Sequence, residues 1–193
     1  MNTYGGEPAH EILDLYPPQG QWTEEDYFAL PERNRHLELS EGRIIVPPHP
    51  TPRHQRVVLK IASELRAFVR EQRLGEVFVA PVPVRLWPGK IREPDVFFVA
   101  REHLDRVGDQ VCGVPDLVVE VTSPGTERAD RIEKFSEYAR AGIREYWLVD
   151  PAAATVEVFV LERGVYVLAA RGTFEERVAS RLLPGFGVTL ADT

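Results

Sequence analysis

Cysteine, lysine and long apolar runs are all scarce in this chain of 193 residues. The single cysteine, Cys112, excludes a disulfide bond within the chain. No apolar run approaches the roughly 18 residues that predict a membrane-spanning helix. Residues 1–20 have no basic segment followed by an apolar one, so they do not predict a signal peptide. These absences favour a cytoplasmic protein that does not enter the membrane.

Positive charge is outweighed by negative charge, and the formal net charge is −7 with a pI near 5.3. This balance disfavours a protein that holds nucleic acid on a wide basic surface. It leaves room for a metal-dependent enzyme, because carboxylates that bind a divalent cation themselves contribute negative charge. The charge is also uneven, since residues 53–73 carry five arginines and one of the three lysines.

Three common catalytic patterns are missing. Neither a zinc-binding HExxH motif nor a cysteine cluster is present. The fourteen glycines are too scattered to form a phosphate-binding loop. Ser123 lies in Ser-Pro-Gly, which is unlike the G-x-S-x-G turn of serine hydrolases. The histidines show no paired spacing: His10, His36, His49, His54 and His103.

Capping residues predict where the helices begin and end. Residues 1–20 predict an N-terminal arm, and residues 21–193 fit a single domain. Thr23 predicts the start of a short helix, and Thr51-Pro52 the start of the longest one, which ends before Gly75. A further helix is predicted from about residue 126 to 141, ending at Gly142.

The predicted strands surround these helices in a mixed order. The segments at 117–122 and 146–149 flank the third helix, so they are expected to pair in parallel. The chain therefore predicts a mixed α/β (α+β) fold with a mixed central β-sheet flanked by helices. The other predicted strands are 37–39 with 43–46, 77–79, 82–86, 96–100, 155–161 with 165–169, and short ones near Val178 and Val188.

Two acidic residues in or beside apolar strands are candidates for chemistry. Glu120 lies between valines in a strand that is apolar on both faces, so it needs an arginine partner, a metal ion or exposure to water. Asp95 follows a proline at the start of the next strand upstream, where an aspartate is commonly a turn or cap residue. Asp116 has the same Pro-Asp context, but it lies at the far end of the Glu120 strand and is interpreted as a cap.

Lys134 is the third candidate. It lies four residues after Asp130, a spacing that also fits a surface ion pair worth only about 0.3–0.5 kcal/mol. If the helix returns over the end of the Glu120 strand, the ammonium group reaches the two acids. Two hard oxygen ligands with open coordination positions favour Mg²⁺ or Mn²⁺.

At these residues the chain resembles the Uma-type restriction-endonuclease domain family, a branch of the PD-(D/E)XK nuclease superfamily. The resemblance extends from about Thr23 to Leu190, and the order of the matching segments is more specific than any one of them. These segments are 37–45, 52–56, Glu93-Pro94-Asp95, 115–121, Asp130-Arg131 with Lys134, Tyr138-Ala139, and Gly142 through Glu145-Tyr146-Trp147 to Pro151.

The resemblance implies a restriction-endonuclease-like core and a divalent-metal endodeoxyribonuclease. It assigns Asp95 and Glu120 as the acidic metal ligands. The lysine expected two residues after the second acid is replaced by Thr122, and the resemblance implies that Lys134 has taken over its role. It further implies DNA as substrate and a homodimer, because cutting both strands of a duplex usually requires two sites.

Two further residues enter the predicted site. Glu38 would supply an upstream acid, with Glu41 as the alternative, and His54 would lie near the substrate groove. A second hypothesis is a nucleic-acid- or protein-binding module with a degenerate site. The acidic net charge and Thr122 both support it.

Overall fold

The computed structural model describes residues 16–30, 36–123 and 129–193. Its helices and strands occur in the order that the sequence predicts, with additions. The elements are α1 (Glu24–Phe28), β1 (Glu38–Ser40), β2 (Arg43–Ile45), α2 (Pro52–Gln72), β3 (Gly75–Val79), β4 (Val84–Trp87), β5 (Lys90–Arg92), β6 (Val96–Ala100), a 3₁₀-helix (Arg101–Arg106), β7 (Leu117–Val121), a π-helix (Ala129–Lys134), α3 (Phe135–Ala141), β8 (Glu145–Asp150), β9 (Thr155–Glu162), β10 (Val165–Thr173), β11 (Val178–Ala179) and β12 (Gly187–Val188).

The central sheet has six strands in the order β10-β9-β8-β7-β6-β3. β7 and β8 pair in parallel, as predicted for strands on either side of a helix, and the other neighbours pair antiparallel. The predicted mixed sheet is therefore confirmed. β11 and β12 pair with each other beside it.

Both faces of the central sheet are covered. One face packs against the apolar stripe of α2, where Ile61 and Leu65 are fully buried. The other face packs against α3 through Tyr138. Side chains alternate along β7, so Val119 belongs to the α2 side and Val118 to the α3 side. Glu120 shares the face of Val118, which aims its carboxylate at the layer of α3.

The helix boundaries follow local chemistry. The Thr51 hydroxyl accepts the His54 backbone N–H at 3.2 Å, and Pro52 occupies the first turn of α2. Gly142 adopts a left-handed φ of 88° and ends α3. The first residues of the third predicted helix lie outside the described residues. From Ala129 to Lys134 the described part has π-helical geometry and then continues as α3.

A second sheet of four strands, in the order β2-β1-β5-β4, packs beside α3. The β1–β2 hairpin was predicted, but β5 was not. The segment Trp87-Pro88-Gly89-Lys90 predicts a turn, but in the structure Lys90 already begins a strand whose residues are all buried. The turn is shorter than predicted, and the structure directs Lys90 and Arg92 inward.

The C-terminal segment is fixed by one buried acid. Glu145 is fully buried in β8. Its Oε1 accepts hydrogen bonds from Trp147 Nε1 at 2.7 Å and Ser180 Oγ at 2.6 Å. Its Oε2 accepts the backbone N–H groups of Arg181 at 2.7 Å and Leu182 at 2.8 Å. Glu145 therefore joins the central sheet to the chain before β12.

No helix in the described part of the chain is long and apolar enough to cross a membrane.

Candidate active site

Asp95 and Glu120 meet because of strand register. β6 and β7 are antiparallel, with Val96 opposite Val119. Asp95 and Glu120 are the next pair outward, so their side chains share one face of the sheet. The Asp95 carboxylate accepts the backbone N–H of Val121 at 2.8 Å, which holds it against the end of β7. The two predicted acids therefore converge.

The surroundings of the Glu120 side chain strongly disfavour a negative charge. Glu120 is 3% exposed, and its Oε1 accepts the Tyr138 hydroxyl at 2.6 Å. Burial raises the pKa of Glu120 to about 8; Lys134 opposes this rise, and the nearby charges of Asp130 and Asp95 add to it. Without a further cation, this carboxyl holds a proton at neutral pH.

Lys134 lies at the centre of these acids. Its Nζ is 3.0 Å from Glu120 Oε1, 3.1 Å from Asp130 Oδ1 and 3.7 Å from Glu38 Oε1. Burial would lower the pKa of Lys134, but these carboxylates and Asp95 raise it well above its usual value. The ammonium group is thus permanently charged and held on several sides. The four-residue spacing between Asp130 and Lys134 therefore produces a contact inside this buried cluster, and not an ion pair on the surface.

Glu38 connects Lys134 to a second buried cation. Its carboxylate accepts a hydrogen bond from Arg92 Nη1 at 2.6 Å. Burial would raise the pKa of Glu38, but Lys134 and Arg92 outweigh that effect and lower it. Arg92 is 2% exposed and forms a bidentate pair with Glu137 of α3, with contacts of 2.8 and 2.9 Å. The smaller sheet is therefore linked to α3 through paired charges.

Three members of this network were not predicted from the sequence: Arg92, Glu137 and Lys90. Lys90 is 3% exposed, and its Nζ lies 2.7 Å from Glu137 Oε1 and 2.5 Å from Ser40 Oγ. One signal could have found Lys90. Lysine is rare in this arginine-rich chain, and two of its three lysines, Lys90 and Lys134, are buried here.

His54 lies at the mouth of the same site. Its Nε2 is 3.3 Å from Asp95 Oδ2, and the residue is 7% exposed. Burial would lower the pKa of His54, but the hydrogen bond and charge of Asp95 outweigh it and raise the pKa. Within the described residues, the buried Nδ1 has no hydrogen-bond partner.

Asp116 lies at the other end of β7 and takes no part in this cluster. Its Oδ2 accepts the backbone N–H of Ala100 at 2.8 Å, and His103 Nδ1 lies 2.9 Å from its Oδ1. These contacts fit the interpretation of Asp116 as a cap.

The cluster opens into a cleft of about 210 Å³ between the start of α2 and the π-helix. Charged side chains line its floor, and apolar residues form part of its wall. The lining residues include Glu38, His54, Gln55, Leu59, Ala62, Asp95, Glu120, Asp130 and Lys134.

The donor set of the cleft fits a hard divalent cation. Several carboxylates surround one ammonium group, and a cation beside Glu120 would relieve the repulsion that raises its pKa. In the described ranges, no three His, Cys, Asp or Glu side chains are arranged to hold a metal by themselves. That is compatible with Mg²⁺, which commonly takes one or two protein carboxylates and completes its shell with water and substrate phosphates.

The fold is similar to that of a solved protein. The match is to the crystal structure of a "putative nuclease belonging to DUF820" from Anabaena variabilis ATCC 29413. It has a TM-score of 0.72 and covers 88% of this chain and 96% of that chain, with 20% sequence identity. The predicted restriction-endonuclease-like fold is thereby confirmed.

No curated protein matches the sequence. One family matches over residues 24–191, nearly the same span as the sequence resemblance, and its description is "Putative restriction endonuclease". The chain belongs to this family, Uma2.

Proposed function

We propose that this protein is a divalent-metal-dependent phosphodiesterase that cuts DNA internally. The observation that carries the proposal is the contact of 3.0 Å between Lys134 Nζ and Glu120 Oε1, at the strand end where Asp95 also lies. Family membership and the nuclease description of the structural neighbour support a nuclease-like function.

Asp95 and Glu120 are the proposed ligands of Mg²⁺ or Mn²⁺. Both are carboxylates on one face of adjacent strands, which is where two oxygen donors can share an ion. A bound divalent cation would supply charge neutralisation of a phosphate oxygen and a lower pKa for a coordinated water. Tyr138 donates a hydrogen bond to Glu120 Oε1, the oxygen that also contacts Lys134, and so helps to hold the carboxylate in place.

Lys134 is the proposed catalytic cation. Its ammonium group reaches the carboxylates from a different element than the strands, so it can orient a water toward phosphorus. It can also stabilise the extra negative charge of the transition state. Glu38 and Asp130 hold the ammonium group in position, which limits the reorganisation needed during the reaction.

His54 has a smaller proposed role. Its contact with Asp95 places a protonatable ring at the cleft entrance, where it would approach a substrate phosphate. Its raised pKa favours the charged form near neutral pH. Loss of this side chain should weaken substrate binding more than it slows the chemical step.

The direct test is nicking of supercoiled plasmid by wild type and by Asp95→Asn, in Mg²⁺, in Mn²⁺ and in EDTA. We expect cleavage by wild type that needs the metal and that falls at least about 100-fold in the variant. Asp109→Asn is the matched control, because Asp109 is an exposed aspartate in a loop. Equal cleavage by wild type and Asp95→Asn would sink the assignment.

A binding module with a degenerate site is the second candidate. It is favoured by the buried Thr122 at the position of the expected lysine. Metal-induced thermal stabilisation separates the two candidates, since a metal that binds only the folded protein raises its Tm. Absence of both stabilisation and nicking would favour the binding module.

The proposed enzyme acts as one nuclease domain over residues 21–193, in a homodimer that cuts both strands. Sedimentation velocity at micromolar concentration tests the dimer. A single species with the mass of the 21.9 kDa chain would contradict it.

A further inference from the structure

Helix α2 carries a charge opposite to that of the protein. It contains five basic and two acidic residues, a net charge of +3, in a chain whose net charge is −7. The remainder of the chain therefore carries −10. Arginines account for four of the five basic residues, all of them exposed, and Arg73 follows directly after the helix: Arg53, Arg56, Arg66, Arg70 and Arg73.

These arginines are also unpaired. Among the described residues, none of the five has a carboxylate within ion-pair distance, whereas Lys60 of the same helix pairs with Glu64 at 3.0 Å. Of the twelve other arginines in the described ranges, seven also lack a carboxylate within ion-pair distance, but they are spread over the fold, whereas these five lie within 21 residues. The five that have one are Arg85, Arg92, Arg131, Arg144 and Arg171. In a chain with 30 acidic residues, five neighbouring arginines left without a carboxylate partner form a surface that is open to an external anion.

The position of α2 connects this surface to the cleft. Gln55, Leu59 and Ala62 line the cleft. Arg66 and Arg70 continue the same helical face, four and eight residues beyond Ala62. From Gln55 to Arg70 the helix rises about 22 Å, which equals about six base pairs of duplex.

We propose that this face of α2, centred on Arg66 and Arg70, binds the phosphate backbone of a duplex that passes through the cleft. The proposal rests on the proposed nuclease function, for which it supplies the docking surface. Guanidinium groups suit phosphate oxygens because they donate paired, permanently charged hydrogen bonds. The acidic remainder of the surface repels the duplex, so α2 determines its orientation.

The test is the salt dependence of DNA binding, because its slope is proportional to the number of phosphates that the protein contacts. Fluorescence anisotropy is measured with a labelled 24-base-pair DNA in EDTA, over a series of salt concentrations, so that no cleavage occurs. Each lost phosphate contact lowers the slope of log K against log salt by about 0.9. For Arg66→Gln/Arg70→Gln we expect a slope reduced by about 1.8 and binding at least about tenfold weaker at 0.1 M salt.

Arg163→Gln is the matched control. Arg163 is exposed at the β9–β10 turn, at the opposite edge of the central sheet from β3, against which α2 packs. It should leave the slope unchanged. Equal slopes for wild type and the double variant would overturn the docking surface, as would equal competition by polyglutamate and unlabelled duplex.

Nicking assays on the same proteins separate this inference from the proposed function. Cleavage by wild type with no slope change in the double variant would reject the α2 surface and keep the nuclease. A slope change without metal-dependent cleavage would keep the α2 surface and reject the nuclease. Absence of any DNA binding by wild type at 50 mM salt would reject the α2 surface directly.

Discussion

Lys134 Nζ lies 3.0 Å from Glu120 Oε1, although one residue ends a π-helix and the other lies in a central strand. Lys134 Nζ also lies 3.7 Å from Oε1 of Glu38, a buried carboxylate whose pKa it lowers. Removal of one partner from a buried charge pair leaves an uncompensated charge and costs about 3–5 kcal/mol. The candidate site and the stability of the fold are therefore coupled at Lys134.

Lys134→Met should lower the free energy of unfolding at pH 8 by about 3–5 kcal/mol and abolish cleavage. The ammonium group lowers the pKa of Glu38. A carboxyl whose folded-state pKa is lowered stabilises the folded state above its unfolded pKa, and this contribution is lost as pH falls through the folded-state pKa. The destabilisation should therefore be larger at pH 8 than at pH 4, as measured by urea unfolding at both pH values.

The control for that experiment is Lys60→Met, which removes a surface lysine paired with Glu64. Its effect on stability should stay below about 0.5 kcal/mol at both pH values. A pH-independent loss in Lys134→Met would contradict the predicted charge coupling.

Metal binding should release a proton. Glu120 has a pKa of about 8 without metal, and the ligand must be ionised to bind the cation. The apparent affinity for Mg²⁺ or Mn²⁺ should rise about tenfold per pH unit below pH 8 and level off above it. Titration calorimetry in two buffers with different ionisation enthalpies measures the released proton, and Glu120→Gln should release none.

Arg92→Met should destabilise the protein by about 3–5 kcal/mol, because Glu38 and Glu137 both lose their buried partner. The matched control is Arg171→Met, since Arg171 is 62% exposed at its side chain and lies 3.8 Å from Glu157. That change should stay within about 0.5 kcal/mol. Chemical denaturation measures the free energy of unfolding of both variants. Equal losses would show that the buried pairs of Arg92 stabilise the fold no more than the exposed pair of Arg171.

Glu145→Gln should cost about 3 kcal/mol without changing metal affinity. The amide can accept hydrogen bonds at only one of its two ends, whereas Glu145 accepts two at each oxygen. Thermal unfolding and metal titration measure the two quantities separately. Glu162→Gln, at the exposed end of β9, is the control and should leave both unchanged. A change in metal affinity would contradict the separation of Glu145 from the site.

Cys112 should be inert in the folded protein. It is 2% exposed, and burial raises its thiol pKa to about 11, against an ordinary value of 9.0. The thiolate is the reactive form, so at pH 8 this shift alone slows alkylation about 100-fold. Iodoacetamide labelling followed by mass spectrometry should modify the urea-unfolded protein rapidly and the native protein slowly. Equal labelling rates would contradict the burial.

Local signals in the sequence predicted much of the fold. The caps at Thr23 and Thr51, the stop at Gly142 and the alternation of apolar strands depend on neighbouring residues, and the structure agrees with them. The parallel pairing of β7 with β8 followed from the helix between them. The convergence of Asp95, Glu120 and Lys134 was also predicted, although their catalytic roles stay predictions.

Arg92 and Lys90 could not be predicted as buried residues. Lys90-Ile91-Arg92 resembles a short exposed segment after a turn, and only the pairing of β5 with β1 and β4 buries it. The compensating acid, Glu137, comes from a helix distant in sequence. Charge pairs between distant segments leave no periodic pattern, so neither spacing nor composition identifies them.

A newly made chain must fold completely before its candidate site exists, because the site draws on three different parts of the fold. Glu38 comes from the smaller sheet, Glu120 from the central sheet and Lys134 from the π-helix. No one of these parts contains the whole cluster, so the acids and the ammonium group meet only after all three have docked. A partly folded chain therefore lacks the assembled cleft, and the proposed nuclease activity can appear only when folding is complete.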